Sequence, residues 1–233
     1  MNRIESGRLA KKEGHLYENL IASKLKSLFN IDFLVDGSSD TKIDVYDKNS
    51  IIRFSIKNPK GKNTQIGLYS QESFIHRLSI VDTDIINFIN MFFGGNNYSN
   101  YPRHRMTKKD IDIFLNEKFT NYLNEKKTEI FDIIIGDDIE YILWAYTKNN
   151  PDNFLLVDVK EFKSYLNSGE WKQNETTFEY LVNGLKLFHL QMKGSGEKYT
   201  NGYHSLMFHI HNNFTAPYLK NTESLYTVYD KFS

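Results

Sequence analysis

The chain of 233 residues contains no cysteine. That one absence removes disulfides, thiol nucleophiles and thiolate metal sites together. Net charge is missing as well: 29 Lys and Arg balance 29 Asp and Glu, so attraction for a polyanion has to come from local patches. No apolar run approaches the ~18 residues that a membrane-spanning helix needs. The first residues, Met1-Asn2-Arg3-Ile4-Glu5-Ser6-Gly7-Arg8, lack the apolar stretch of a secretory signal. The expectation is a cytoplasmic protein without membrane contact. Internal repeats and low-complexity tracts are absent too.

What is present suffices for a core. Hydrophobic residues make up 40% of the chain, which at this length suits one large domain or two small ones. Seven histidines remain for metal or acid–base chemistry. Two basic patches stand out: Lys57, Lys60 and Lys62, then Arg103, His104, Arg105, Lys108 and Lys109.

Apolar periodicity places the elements. Residues 1–12 are basic and polar, an arm or the start of a helix. Over 14–29, Leu16, Leu20, Ile21, Ala22, Leu25, Leu28 and Phe29 follow helical spacing, with Glu18 on the face of Ile21, Ala22 and Leu25. A short apolar stretch at 33–35 leads to a turn at 37–40. Two alternating arms, 43–46 and 51–57, flank Asp47-Lys48-Asn49-Ser50, which reads as a β-hairpin. Pro59 and Gly61 stop the second arm. A helix is expected over 68–93, a boundary loop over 94–102, a helical stretch over 109–125 followed by a mostly apolar stretch over 129–136, and a helix over 159–166. Strands are expected at 141–147, 154–158, 186–193 and 205–211.

On the hairpin, Asp44 stands near the start of one arm. Ser55 and Lys57 leave the same face of the other, because alternate residues of a strand share a face. A carboxylate and a lysine can therefore converge at the sheet's end. Gln191 and Lys193 likewise share a strand face ahead of Gly194-Ser195-Gly196, and such side chains suit bidentate contacts to base edges. His209 and His211 share another face; as a metal pair they lack a third and fourth ligand.

The spacing of Asp44 and Ser55-Ile56-Lys57 resembles the core of the PD-(D/E)XK nucleases, with Ser55 in place of the second acidic residue. From Lys12 to Phe214 the chain is similar to the HinP/MspI-like branch of the type II restriction endonucleases. Lys12-Glu13-Gly14-His15-Leu16-Tyr17-Glu18 matches a Lys-Asp-Gly-x-x-x-Glu helix start. Ser55-Ile56-Lys57 stands where those relatives carry Gln-Val-Lys, whose first position is already an amide. Thr64-Gln65-Ile66 echoes Asn-Gln-Ile, and His104-Arg105-Met106 echoes Arg-Arg-Met. Gln191-Met192-Lys193-Gly194-Ser195 echoes Gln-Arg-Lys-Gly-Gly, and Leu206-Met207-Phe208-His209-Ile210-His211 echoes Leu-Gln-Phe-Lys-Ile-Asp.

The resemblance implies an α/β fold with a PD-(D/E)XK restriction-endonuclease-like core, a mixed β-sheet flanked by helices. It implies a catalytic region over 1–100 and a DNA-recognition region over 101–233, joined in one two-lobed unit. The implied activity is magnesium-dependent hydrolysis of double-stranded DNA at a short palindrome, four bases long and GCGC- or CCGG-like. Asp44, Ser55, Lys57 and Glu18 become the catalytic residues. Asp44 and Ser55 would hold Mg²⁺, with Asp40 as the competing ligand. Lys60, Lys62, Gln65, Arg103, Arg105, Gln191, Lys193 and His209 would meet DNA. A cognate DNA methyltransferase is implied as a genetic companion rather than a bound subunit, and the nuclease itself as a monomer or weak dimer. The departure at Ser55 leaves open a catalytically inactive, sequence-specific DNA-binding protein. An HNH-type nuclease built on His209-Ile210-His211-Asn212-Asn213 and an α/β domain with no DNA role are the remaining readings.

Overall fold

A computed structural model describes residues 3–36, 41–49, 52–58, 63–93, 113–145, 154–174, 177–193 and 205–211. In chain order the elements are α1 (Arg3–Phe29), β1 (Phe33–Val35), β2 (Val45–Asp47), β3 (Arg53–Lys57), β4 (Asn63–Tyr69), α2 (Gln71–Arg77), α3 (Thr83–Phe93) and α4 (Ile113–Glu125). They continue with α5 (Lys127–Ile135), β5 (Tyr141–Ala145), β6 (Phe154–Asp158), α6 (Val159–Leu166), β7 (Glu170–Asn174), β8 (Thr177–Val182), β9 (Leu185–Lys193) and β10 (Ser205–His211). The fold is α/β, with two sheets flanked by helices. Among the described residues no helix is long and apolar enough to cross a membrane.

Contacts divide the chain into two units. One comprises Met1–Lys62, Gly136–Phe162 and Thr215–Ser233; the other comprises Asn63–Ile135 and Lys163–Phe214. Both units are discontinuous in sequence. The chain leaves the first unit at β4, whose backbone pairs with β10 far along the sequence, and returns for β5, which pairs with β3. The expected boundary loop over 94–102 lies outside the described residues.

In the first unit the sheet order is β1-β2-β3-β5-β6. It is mixed: β3 and β5 run parallel and the other pairs antiparallel. The hairpin stands where the sequence puts it, with Val45 opposite Phe54 and Tyr46 opposite Arg53. Asp47 closes its connector, accepting from Ile52 N at 2.6 Å and Asn49 N at 2.9 Å. Helix α1 extends through the amino-terminal stretch that could also have been a loose arm. Its buried seam is Tyr17, Ile21, Ala22, Leu25 and Phe29, packed with Val45, Phe54, Ile56, Tyr141, Leu143, Ala145 and Leu156. Leu16 and Leu20, which the sequence counts in the apolar stripe, are exposed; the seam runs through Tyr17, Ile21 and Leu25 at i, i+4 spacing and leaves them to one side. The helix ends at Asn30, which adopts φ 55° and donates its N–H to Lys26 O, a left-handed stop that asparagine tolerates. Arg53 and Glu140 clamp the start of the parallel pair. The guanidinium donates to the carboxylate at 2.6 and 3.2 Å, and the Arg53 backbone N–H does so at 2.7 Å.

The second unit is built on an all-antiparallel sheet of order β4-β10-β9-β8-β7. One face carries Phe178, Tyr180, Phe188 and Phe208, and the helices bring Phe74, Phe88, Phe119 and Phe131 onto it. Edge-to-face contacts such as Phe119–Phe178 at 5.0 Å and Phe131–Tyr180 at 4.9 Å dominate this core, the arrangement aromatic quadrupoles favour. The helix expected over 68–93 is instead the end of β4 followed by α2 and α3. Ser70 caps α2 by accepting from Ser73 N. Ser79 then takes φ 49°, and Asp82 starts α3 by accepting from the N–H groups of Asp84 and Ile85. Strands β4, β7 and β8 have no counterpart in the sequence reading. The edge strand β7 is held by α4: Asn124 accepts from Trp171 N at 2.7 Å and donates to Trp171 O at 3.0 Å, so its amide stands in for a sixth strand.

Candidate active site and polar strand face

The hairpin ladder stops at Asp44 because a side chain takes over from the backbone. Asp44 N donates to Phe54 O at 2.8 Å, the last backbone bond of the pair. At the next step Ile56 N donates to Asp44 Oδ2 at 2.5 Å. Phe54 and Ile56 point into the core, so Ser55 and Lys57 leave by the opposite face. There Ser55 Oγ donates to Asp44 Oδ2 at 2.9 Å, and Lys57 Nζ donates to Ser55 Oγ at 2.5 Å while standing 3.5 Å from Asp44 Oδ2. Ser55 is only 1% exposed, whereas the Asp44 and Lys57 side chains keep partial access to water.

Glu18 reaches the same cluster from α1. Burial raises its pKa above the ordinary carboxylate value, and the Asp44 charge adds to the rise; a hydrogen bond and charge from His15 and the Lys57 ammonium work against it. His15 Nδ1 lies 3.0 Å from Glu18 Oε2. The four residues expected at the site are thus brought together, and His15 joins them. Its signal was the i, i+3 spacing to Glu18, which places both on one side of the helix. Hard oxygens are what Mg²⁺ takes, and Asp44, Glu18 and the Ser55 hydroxyl supply them, with two carboxylates whose mutual repulsion a cation relieves. Among the described residues no three His, Cys, Asp or Glu side chains are grouped to hold a metal, so a cation here would have to complete its shell with the hydroxyl and water.

In the second unit, Gln65, Gln191 and His209 fall on neighbouring strands. His209 is directly opposite Gln65 on β4 and opposite His189 on β9, so these side chains share a face. Gln191 Nε2 lies 3.4 Å from His209 Nδ1. His189 is a member of this group that sequence reading missed, since a single histidine in an apolar strand reads as core. Lys193 closes β9 opposite Ser205. Lys60, Lys62, Arg103, Arg105 and the competing ligand Asp40 lie outside the described residues.

Set against known proteins, the chain is similar to the restriction endonuclease MspI solved in complex with its cognate DNA, with a TM-score of 0.46 and 12% identity over 82% of this chain and 77% of that one. No family model matches it, and no curated protein does.

Proposed function

We propose that the protein is a type II restriction endonuclease that cuts double-stranded DNA at a short palindrome, four bases long and GCGC- or CCGG-like, with magnesium as cofactor and a DNA methyltransferase as genetic companion. What supports this reading is the junction of motif and geometry in the first unit. The residues that match the nuclease pattern, Asp44, Ser55 and Lys57, share hydrogen bonds at one strand end, and Glu18 from the matching helix start lies within reach of their charges.

Asp44, Ser55 and Glu18 would hold the Mg²⁺, which supplies Lewis-acid polarisation of the scissile phosphate. The rest falls to the chain's own groups. Asp44 stays anchored by the Ile56 N–H and the Ser55 hydroxyl, so its position is set before substrate arrives. Lys57 carries its ammonium to the same point and offsets negative charge as it grows on the phosphate oxygens. Lys57 would also orient the attacking water, and Glu18 would supply its carboxylate directly or through water. The expected products carry a 5′-phosphate and a 3′-hydroxyl. Gln65, Gln191, Lys193 and His209 are assigned to base edges, and Lys60, Lys62, Arg103 and Arg105 to phosphates, which position a duplex without reading it.

Digestion of unmethylated phage DNA with Mg²⁺, with run-off sequencing of the ends, tests the proposal. Discrete fragments with one common end sequence are expected, absent in chelator and absent for Lys57→Ala. Site-preferring binding without any cutting would instead favour the inactive DNA-binding protein that Ser55 leaves open.

A further inference from the structure

The second unit holds a histidine cluster that the cleavage step does not use. Register sets Glu179 opposite His189, His189 opposite His209, and His209 opposite Gln65. Each of β8, β9, β10 and β4 therefore contributes one polar residue to a row on the face away from the aromatic core. His189 is 8% exposed and engages both ring nitrogens. Its Nε2 lies 3.0 Å from His209 Nδ1, and its Nδ1 lies 2.9 Å from His211 Nε2. With a different partner at each nitrogen, the three rings form a chain rather than converge on a point.

A neutral imidazole has one N–H and one lone pair, so fixing either end of such a chain fixes its direction. Gln191 fixes one end. Its Nε2, which can only donate, lies 3.4 Å from His209 Nδ1, so that nitrogen is an acceptor whose lone pair is shared with the closer His189 Nε2 at 3.0 Å. His189 must then donate to it from Nε2 and accept at Nδ1, where His211 donates from its Nε2. His209 consequently keeps its own proton on Nε2. The reverse direction would set an Nδ1–H of His209 against the amide hydrogens of Gln191. The surroundings disfavour charge on two of the three rings. Burial, then the charges of His209, His211 and Lys186, pull the His189 pKa down to about 4. Glu179 opposes this, but its carboxylate already accepts from Lys186 and Asn174. Burial and Lys186 also lower His211.

We propose that His189 is a positioning residue for sequence reading: it holds His209 in the Nε2–H form beside Gln191, so that the pair selects duplex edges offering His209 an acceptor such as guanine N7 or O6. This rests on the reading of the protein as a DNA-binding nuclease. A proton added at His211 Nδ1 leaves the direction intact, whereas one added at His189 Nδ1 or His209 Nδ1 turns an accepting nitrogen into a donor and cancels the selection.

Two readouts test it on the full chain. Histidine ¹⁵N shifts report the His209 tautomer in the free protein. Binding to duplexes covering every four-base palindrome, with Ca²⁺ in place of Mg²⁺ to hold off cleavage, reports discrimination. The Nε2 atoms of glutamine and histidine sit at similar reach, so His189→Gln keeps a donor to His209, whereas the shorter His189→Asn cannot. Wild type and His189→Gln should show His209 as Nε2–H alone and prefer one palindrome. His189→Asn should show mixed tautomers and lose about tenfold in discrimination, the lower end of what a good base contact contributes. Full discrimination in His189→Asn, or a loss without any tautomer change, overturns the proposal. Mixed tautomers in the wild type overturn it regardless of DNA; a locked tautomer in a protein with no sequence preference sinks the nuclease reading instead. Should His189→Asn fail to fold, wild-type titration carries the same test: discrimination must fall in the step in which the His209 tautomer signal breaks up, and falling in a separate step overturns the proposal.

Discussion

Asp44 serves the fold and the proposed chemistry at once, and two substitutions separate these roles. Asp44→Ala removes the acceptor of Ile56 N–H, of the buried Ser55 hydroxyl and of the nearby Lys57. A hydrogen bond to a charged acceptor contributes ~1.5–3 kcal/mol and a neutral one ~1 kcal/mol. Relief of the repulsion with Glu18 offsets part of that loss, so a net cost of about 2–3 kcal/mol is expected. Asp44→Asn keeps one amide oxygen for Ile56 N–H but loses the charge, and should cost about 1 kcal/mol. Cleavage should vanish in both, since neither keeps an anionic oxygen at position 44 and Glu18 alone is left to hold the cation. Urea denaturation gives the stabilities, and a plasmid nicking assay with Mg²⁺ gives the activity. Asp44→Asn cutting at the wild-type rate, particularly if Asp40→Asn does not cut, would refute the assignment of the ligand. Asp44→Ala as stable as wild type would refute the account of how the ladder ends.

Glu18→Gln should raise Tm of the metal-free protein while lowering cleavage, because the fold disfavours the charged form of Glu18; a lower Tm would contradict this. Stability should fall as pH drops from 6.5 towards 4, since the unfolded chain takes up protons that buried His189 refuses; a pKa displaced to about 4 corresponds to ~3 kcal/mol, and His189→Gln should flatten the slope measured by denaturant titration. Asn124→Ala should cost about 1–3 kcal/mol by leaving Trp171 N–H without its acceptor, whereas Asn124→Asp, which keeps that acceptor, should cost less. Gln191→Ala should weaken binding to the preferred palindrome far more than to random DNA. Lys62→Ala should weaken both alike and reduce the salt slope by about one.

How much of this was legible in the sequence depends on the distance over which each feature is determined. The hairpin and the convergence of Asp44, Ser55 and Lys57 follow from strand alternation within one short stretch, and Glu18 follows from the helical face it shares with Ile21, Ala22 and Leu25. Those are local facts, and they were readable. The strand Asn63–Tyr69 was not, because its exposed Leu68 and buried Phe74 can be threaded on one helical stripe; it becomes a strand by pairing with Ser205–His211. Glu170–Asn174 carries one buried side chain, Trp171, too little alternation to mark a strand that Asn124 and its neighbour hold from outside. The same limit hid His189. As a lone histidine between Phe188 and Leu190 it carries no signal, and it acquires a role only when register sets it against His209 and, two residues further along that strand, brings His211 within reach of its other nitrogen. The interleaving of the two units was hidden for that reason too. A loop rich in asparagine and glycine is a local mark, whereas the parallel pairing of β3 with β5 and the antiparallel pairing of β4 with β10 tie together segments that no local pattern connects.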